Sequence, residues 1–325
     1  MGIIANPASG KDIRRLVAYG SVFDNQEKVR IVRRVILGLM SVGVDRICYM
    51  PDYFGIVPRA AEPLKLTIPI FPVNFKAAAS QDDSVRAGRI MNERGVDCIV
   101  TLGGDGTNRV AAKGCKNTPI LPISTGTNNV FPDMVEGTLA GLAAGLVANK
   151  LVPLDEAAIY STKLEVVLDG EAADIALVDV VVYDDPFIGS RAVWDMDKVR
   201  QIFLNRAEPD RIGLSSIGGL VHPVRADEPT GLYLKLGTSG RRVTAPVAPG
   251  LIKTVCLESE QVMNLGVEFE VAPVPAVLAL DGEREVEVRE GGRAALRVVK
   301  DGPVVIDVSR TMISAGKRGV LAPLA

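Results

Sequence analysis

Residues 99–114, IVTLGGDGTNRVAAKG, place three glycines around one acid where an apolar run ends and a helical segment begins. A turn containing Gly103, Gly104 and Gly106 lets the backbone approach a ligand closely and take positive φ, so that several N–H groups can converge on phosphate oxygens. Thr107 follows with a hydroxyl, and the helix behind it offers its positive N-terminal end to the same anion. Asp105 is the wrong sign for a direct phosphate contact. It is useful there if a metal lies between, reached through water, or if it takes a proton from an attacking hydroxyl. Both roles belong to phosphoryl transfer. The competing reading is a tight strand-to-helix turn with no ligand. GDGTNR lacks the third glycine of a dinucleotide fingerprint, and the chain has no G-x-x-x-x-G-K-[ST] loop.

Two more polar turns follow apolar runs. TGTNNVFP, Thr125 to Pro132, would present Thr127, Asn128 and Asn129 to ribose or phosphate, or else cap a helix. NPASGK, Asn6 to Lys11, offers a lysine that is either a phosphate contact or a solvated surface group. The tripeptide Asp-Gly-Glu occurs at Asp169–Glu171, explained by a hairpin turn, and again at Asp281–Glu283, where the acids either line a site or only turn the chain. Arg241 and Arg242 sit in a Gly-Thr-Ser turn that reads first as a hairpin tip and second as a phosphate clamp. Asp184, Asp185, Asp195 and Asp197 around Trp194 read first as caps and solvated surface, with a metal patch as the alternative. The single histidine, His222, reads as structural or surface.

These motifs need a frame. EKVRIVRRVILGLMSVG places Val29, Val32, Val35, Ile36 and Leu39 at helical spacing and stops at Gly43; DIRRLVAYG and residues 81–95 are further helices, the latter ending in Arg94 and Gly95. GIIAN, RICYM, CIVTL and PILPIST are strands, LTIPIFPVNF an edge segment because of its prolines, and GTLAGLAAGLVANK a Gly-rich helix. This alternation predicts an α/β domain with a doubly wound, mostly parallel sheet over residues 1–150. Residues 151–303 change rhythm to short strands, an antiparallel β-sandwich, with VRQIFLNRA as the last helix. Residues 304–325 form a C-terminal segment. Ligands of such sheets bind beyond the carboxyl ends of the strands, where GGDGT lies.

Composition narrows the partners. The 325 residues are 47% hydrophobic and 23% charged with net charge -2, which points away from nucleic acid or an anionic membrane as the main partner. No apolar run reaches membrane-spanning length. Four widely spaced cysteines without C-x-x-C and an N-terminus without a signal pattern predict reduced thiols in a cytoplasmic protein.

Taken together, NPASGK, GGDGTNRVAAKG, STGTNNVFP and the late LALDGE resemble the superfamily that joins NAD kinases with diacylglycerol and sphingoid-base kinases, and within it the ATP-NAD kinase-like proteins of the acetoin catabolism protein X type. The resemblance spans most of the chain. It implies an α/β domain and a β-sandwich enclosing the site, with RTMISAGKRGVL returning towards the first domain. It implies transfer of a γ-phosphate from ATP, or of phosphate from polyphosphate, to a hydroxyl with Mg2+. Asp105 would be the activating acid and, through water, the metal anchor. Gly103, Gly104, Gly106 and Thr107 would hold phosphates, with Asn6, Lys11, Thr127, Asn128 and Asn129 around the nucleotide. Asp281 and Glu283 fall on the late acidic motif, whose acid removes a proton or binds metal. NAD kinases read ribose with an Asn-acid pair, for which this chain has Val178 and Asp179. The acceptor is therefore NAD or another small-molecule or lipid hydroxyl, and a silent nucleotide-binding regulator is the remaining alternative. Relatives of this kind imply a homo-oligomer.

Overall fold

A computed structural model describes residues 1–9, 19–21, 23–184 and 196–322. Lys11, residues 12–18 of the helix expected over 12–20, Trp194, Asp185 and Asp195 lie outside the described residues, and residues 19–20 are not helical. The chain runs β1 (Gly2–Ala5), α1 (Asn25–Ser41), β2 (Ile47–Tyr49), α2 (Ile56–Ala61), β3 (Ile70–Pro72), α3 (Asp82–Glu93), β4 (Ile99–Gly103), α4 (Asp105–Cys115), β5 (Ile120–Ser124), α5 (Gly137–Ala148), α6 (Leu154–Ala157) and β6 (Ala158–Tyr160). Then come β7 (Lys163–Leu168), β8 (Glu171–Ala176), β9 (Asp179–Tyr183), β10 (Val199–Leu204), α7 (Leu214–Gly219), β11 (Thr230–Gly237), β12 (Arg241–Ala248) and β13 (Leu251–Asn264). The remainder is β14 (Phe269–Glu270), β15 (Ala276–Leu280), β16 (Glu283–Val288), β17 (Ala294–Val299), β18 (Val304–Ile306) and α8 (Val308–Lys317).

The first sheet has the order β3-β2-β1-β4-β5-β18-β6. Its strands pair in parallel from β3 through β18, and only the β6 edge is antiparallel. From β1 the chain winds outward to β3, then crosses back to β4 and β5, so the direction of winding reverses between β1 and β4. That reversal opens a crevice at the carboxyl ends of those strands. The proline-bearing β3 is the edge strand, as its prolines predict. The last strand, β18, inserts between β5 and β6, and α8 follows it, capped by the Asp307 carboxylate accepting from the Arg310 N–H at 2.8 Å.

The second half forms a seven-stranded antiparallel sheet, β12-β13-β11-β10-β9-β15-β16, facing a four-stranded sheet, β14-β17-β7-β8. Val180 and Val182 of β9, Phe203 of β10 and Leu278 of β15 meet Leu164, Val166 and Leu296 of the smaller sheet in one core. The opposite face of the larger sheet is also covered, with Val181, Ile202 and Leu204 packed against Ile217 of α7. This double burial corrects the helix expected at VRQIFLNRA. Residues 199–204 are a central strand, apolar on both faces, and such a run carries no periodicity that separates strand from helix. Nor is it followed by strands alone, since α7 and α8 come later.

The Gly-rich α5 owes its composition to close packing on α1. Gly137, Gly141 and Gly145 share one face at four-residue spacing. A Cβ at Gly141 would stand 2.3 Å from the Val35 carbonyl oxygen, and one at Gly137 would stand 2.8 Å from that of Ile31. From the other side, a Cβ at Gly38 would lie 2.5 Å from the Thr138 carbonyl oxygen. The two helix backbones approach until only hydrogen atoms fit between them. No helix among the described residues is long and apolar enough to cross a membrane, α5 included. Gly141→Val forces these helices apart, and overpacking of this kind costs about 1–3 kcal/mol. Urea unfolding followed by circular dichroism is expected to show that loss, with the midpoint lowered and the slope unchanged.

Candidate active site

The register of the first sheet brings the three polar turns together. Ala5 is paired with Leu102, and Gly103 with Ser124, so the segments beginning at Asn6, Gly104 and Thr125 leave the sheet side by side. The turns are also cross-bonded. Asn6 Nδ2 donates to Thr107 Oγ1 at 3.0 Å, the hydroxyls of Ser9 and Thr125 lie 3.0 Å apart, and the Thr125 N–H donates to the Gly103 carbonyl at 3.3 Å. Beneath the first turn lies Lys28 of α1, only 1% exposed. Its Nζ donates to the carbonyl oxygens of Asn6 and Ser9 at 3.0 and 2.8 Å and to Asn25 Oδ1 at 3.1 Å.

Asp105 is the first residue of α4 and not an exposed loop residue, the place the motif alone suggests for it. Its Oδ1 accepts the N–H groups of Val130 and Phe131 at 3.0 and 2.8 Å, and Oδ2 accepts from Val130 at 3.2 Å. A carboxylate at a helix N-terminus is favoured by the dipole. Here it also ties the GGDGT turn to the TGTNN turn.

The glycines serve contact and not positive φ, which corrects the expectation from the motif. Gly104 caps α4 at φ -96° and ψ -167°, an extended backbone, and none of Gly103, Gly104 and Gly106 has left-handed φ. A Cβ at Gly103 would meet the Thr107 side chain at 2.4 Å, and one at Gly104 would meet Asn129 Oδ1 at 2.6 Å. At Gly106 the neighbour is Glu283 Oε1, at 3.2 Å.

Glu283 belongs to the second domain, whose β15–β16 turn reaches the start of α4. The turn places Asp281 and Gly282 at φ 50° and 82°. The buried Asp281 carboxylate accepts the N–H groups of Leu177, Val178 and Asp179 at 2.8–3.2 Å and lies 3.9 Å from Nε of Arg109 in α4. Burial pushes this carboxyl up from the usual range, and Arg109 and the three N–H groups oppose that. Arg109 is fully buried and also reaches Asp174 of β8 at 3.4 Å, which Lys113 contacts at 2.6 Å. Glu283 accepts from Gln81 Nε2 at 2.8 Å. Buried charges of both domains thus meet at one helix.

Between the domains lies a cleft with about 660 Å³ of empty space, part of it open to solvent. Asp105, Asn128 and Val130 line it from the first domain, and Asp179, Asp281 and Gly282 from the second. Its remaining wall is apolar and comes from the second domain: Met196, Ile212, Leu214, Val247, Ala248 and Leu251. Four of the expected site residues, Asp105, Asn128, Asp179 and Asp281, therefore share one cavity. Asn6, Thr107 and Asn129 lie at the loops but bond to neighbours: Thr107 is buried, and Asn129 Nδ2 donates to Ser124 Oγ at 2.8 Å. Thr127 Oγ1 accepts the Ser21 N–H at 3.0 Å. Val178 is fully buried and contributes its N–H to Asp281, not a side-chain amide to the cleft.

Arg241 and Arg242 are exposed on β12, Arg241 pairing with Glu260 at 3.5 Å, and neither lines the cleft. His222 is exposed, and Asp184 pairs with Arg200 at 2.8 Å. Asp169 and Gly170 form the β7–β8 turn with left-handed φ, as the hairpin reading predicts. Sequence reasoning missed Lys28 and the apolar wall, which carry no local signal. Arg109 carried one, four residues after Asp105 on the same helix face. Among the described residues no group of three or more His, Cys, Asp or Glu side chains is arranged to hold a metal ion.

Comparison with known proteins gives this arrangement a class. Residues 1–151 match the ATP-NAD kinase N-terminal domain, and the chain has the fold of that class: an α/β domain with a mostly parallel sheet followed by antiparallel sheets. Residues 162–301 match the acetoin catabolism protein X C-terminal domain. The chain belongs to the acetoin catabolism protein X family: it is 37% identical to the protein of that name from Cupriavidus necator over 338 aligned positions, covering all of this chain and 94% of that one. Among solved structures, it is similar to yeast NADH kinase complexed with NADH (12% identity, TM-score 0.48, 100% of this chain and 89% of that chain). It is also similar to a candidate diacylglycerol kinase from Bacillus anthracis (13% identity, TM-score 0.49, 94% and 96%).

Gly104→Ala pushes a methyl group into Asn129 and separates the two turns that Asp105 joins. A loss of about 1–3 kcal/mol is expected from such overpacking, read as a lowered thermal midpoint. Gly104→Ala combined with Asn129→Ala is expected to recover most of it, since the clash is with that one side chain.

Proposed function

We propose that this protein is a phosphotransferase that moves the γ-phosphate of ATP to a hydroxyl. The observation that carries the proposal is the Asp105 carboxylate, held by two loop N–H groups at the mouth of the interdomain cleft. The backbone at Gly103, Gly104 and Gly106 and the start of α4 offer N–H groups and a helix dipole to the donor phosphates. Thr127, Asn128 and Asn129 sit beside them, and polyphosphate would present the same chemistry as a donor. Asp105 takes the proton of the attacking hydroxyl, within the 10²–10⁴-fold range typical of a positioned base. Asp281 and Glu283 set the position of α4 from the second domain.

The donor set fits Mg2+ bound in the manner usual for that ion, through substrate phosphates and water with one or two carboxylates. Asp105 would hold it through water, and the ion would neutralise charge on the phosphates.

NAD, giving NADP, is the acceptor that the N-terminal domain suggests first. A second reading has an observation of its own. Val178 brings no amide to the ribose, and the cleft sets Asp105, Asp179, Asp281 and Asn128 opposite an apolar wall. That lining favours the uncharged, hydroxyl-bearing part of an acceptor, because carboxylates accept from hydroxyls and repel phosphates. A homo-oligomer acting in the cytoplasm completes the proposal.

The test is Mg2+-dependent transfer from γ-labelled ATP with NAD at the head of a panel of neutral alcohols. Asp105→Asn is expected to keep the Val130 and Phe131 bonds through its amide oxygen and so to remain folded. Its turnover is expected to fall at least about 100-fold, the lower end for a lost general base. Equal turnover in the variant removes Asp105 from the reaction, and tight ATP binding without transfer to any acceptor supports a regulatory role instead.

A further inference from the structure

The segment after β10 carries Arg206, which is 6% exposed. Its guanidinium carbon lies 4.5 Å from the centroid of the Phe131 ring, across the domain boundary. Its Nε is buried and has no hydrogen-bond partner among the described residues. A buried guanidinium left without such partners is costly, because each unmade bond forfeits solvation that water supplied. Burial accordingly lowers its proton affinity, and the negative charges of Glu208, Asp105 and Asp133 raise it again, with Arg211 opposing them.

Arg211 lies 2.7 Å from Asp133 and 3.0 Å from Glu208, so those two carboxylates have a hydrogen-bonding cation already. Arg206 stacks instead on the residue whose N–H is bonded to Asp105 at 2.8 Å. A methionine or leucine would cover Phe131 equally well without a desolvation cost. Packing alone therefore does not account for a cation here, and the ring it covers belongs to the residue that grips Asp105.

We propose that Arg206 is a positioning residue for Asp105: stacked on Phe131 from the second domain, it fixes the Val130–Phe131 peptide groups that grip the carboxylate and supplies that centre with positive charge. This rests on the phosphotransferase reading only for its effect on turnover. Its effect on the 130–131 backbone is independent of it.

The experiment compares wild type, Arg206→Met and Arg206→Lys by thermal unfolding, amide hydrogen exchange over residues 126–134 and labelled phosphate transfer. Arg206→Met is expected to unfold no lower than wild type, because a buried charge has been replaced by an apolar chain of similar length. Exchange of the Val130 and Phe131 amides is expected to quicken about tenfold, and kcat to drop about tenfold with the ATP KM little changed, each equivalent to about 1.4 kcal/mol. Arg206→Lys is expected to recover part of both, since a lysine cation also stacks on an aromatic face. Unchanged exchange in Arg206→Met overturns the proposal, as does a lysine variant indistinguishable from the methionine one. If wild type transfers phosphate to no acceptor, the functional reading fails and the exchange comparison alone decides this one.

Discussion

The carboxylate of Asp105 bonded to two successive peptide N–H groups is the contact on which the rest of this site depends. It joins the turns after β4 and β5, which would otherwise be two unrelated loops at the edge of a sheet. Such a bond between a charged acceptor and backbone donors is shorter and stronger than a neutral one. It also requires close approach, and close approach requires glycine. Gly104 faces Asn129 with no room for a methyl group, and Gly103 faces Thr107 likewise. The glycines and the acid are one device in which each residue type follows from the others.

The second domain attaches to the same helix by buried charge. Arg109 of α4 reaches Asp174 and Asp281, and Asp281 gathers three backbone N–H groups at the start of β9. A buried ion pair is weak as a source of stability, because desolvation offsets most of the attraction. It is strong as a source of geometry, because breaking it leaves a charge with nowhere to go. The docking of the domains is thereby fixed in the direction that matters, along the line from Asp281 through α4 to Asp105. The apolar wall of the cleft, supplied wholly by the second domain, then faces the loops of the first.

Much of this was legible in the sequence. The βα alternation gave the parallel sheet, the prolines gave its edge strand, and GGDGT and TGTNN marked the crevice because glycine and asparagine announce unusual backbone environments. Asp281 was found only through its motif, since a lone Asp-Gly reads as a turn, and here it is both turn and buried hub. VRQIFL was misread because burial on both faces removes the alternation that would identify a strand. The glycines were found for a reason that the backbone angles correct: crowding, not left-handed φ, demands them. Lys28 and Arg206 were not legible at all. Lys28 is a buried cation bonded to the carbonyls of a turn about twenty residues earlier, Arg206 one stacked on a ring of the other domain, and no local pattern encodes either.

The chain crosses between the two domains twice, outward after β6 and back before β18, and the crossings lie side by side. Ser161 donates to the Pro303 carbonyl through both its N–H and its hydroxyl, at 3.3 and 3.0 Å, and Lys163 meets Asp301 at 2.9 Å. The two antiparallel crossings are thus bonded to each other as well as to the domains they join. Because β18 lies inside the first sheet, that domain is not a contiguous piece of the gene product: its sheet is completed only after the whole sandwich has been synthesised. The first sheet is therefore completed last, when the final strand slots in beside β5.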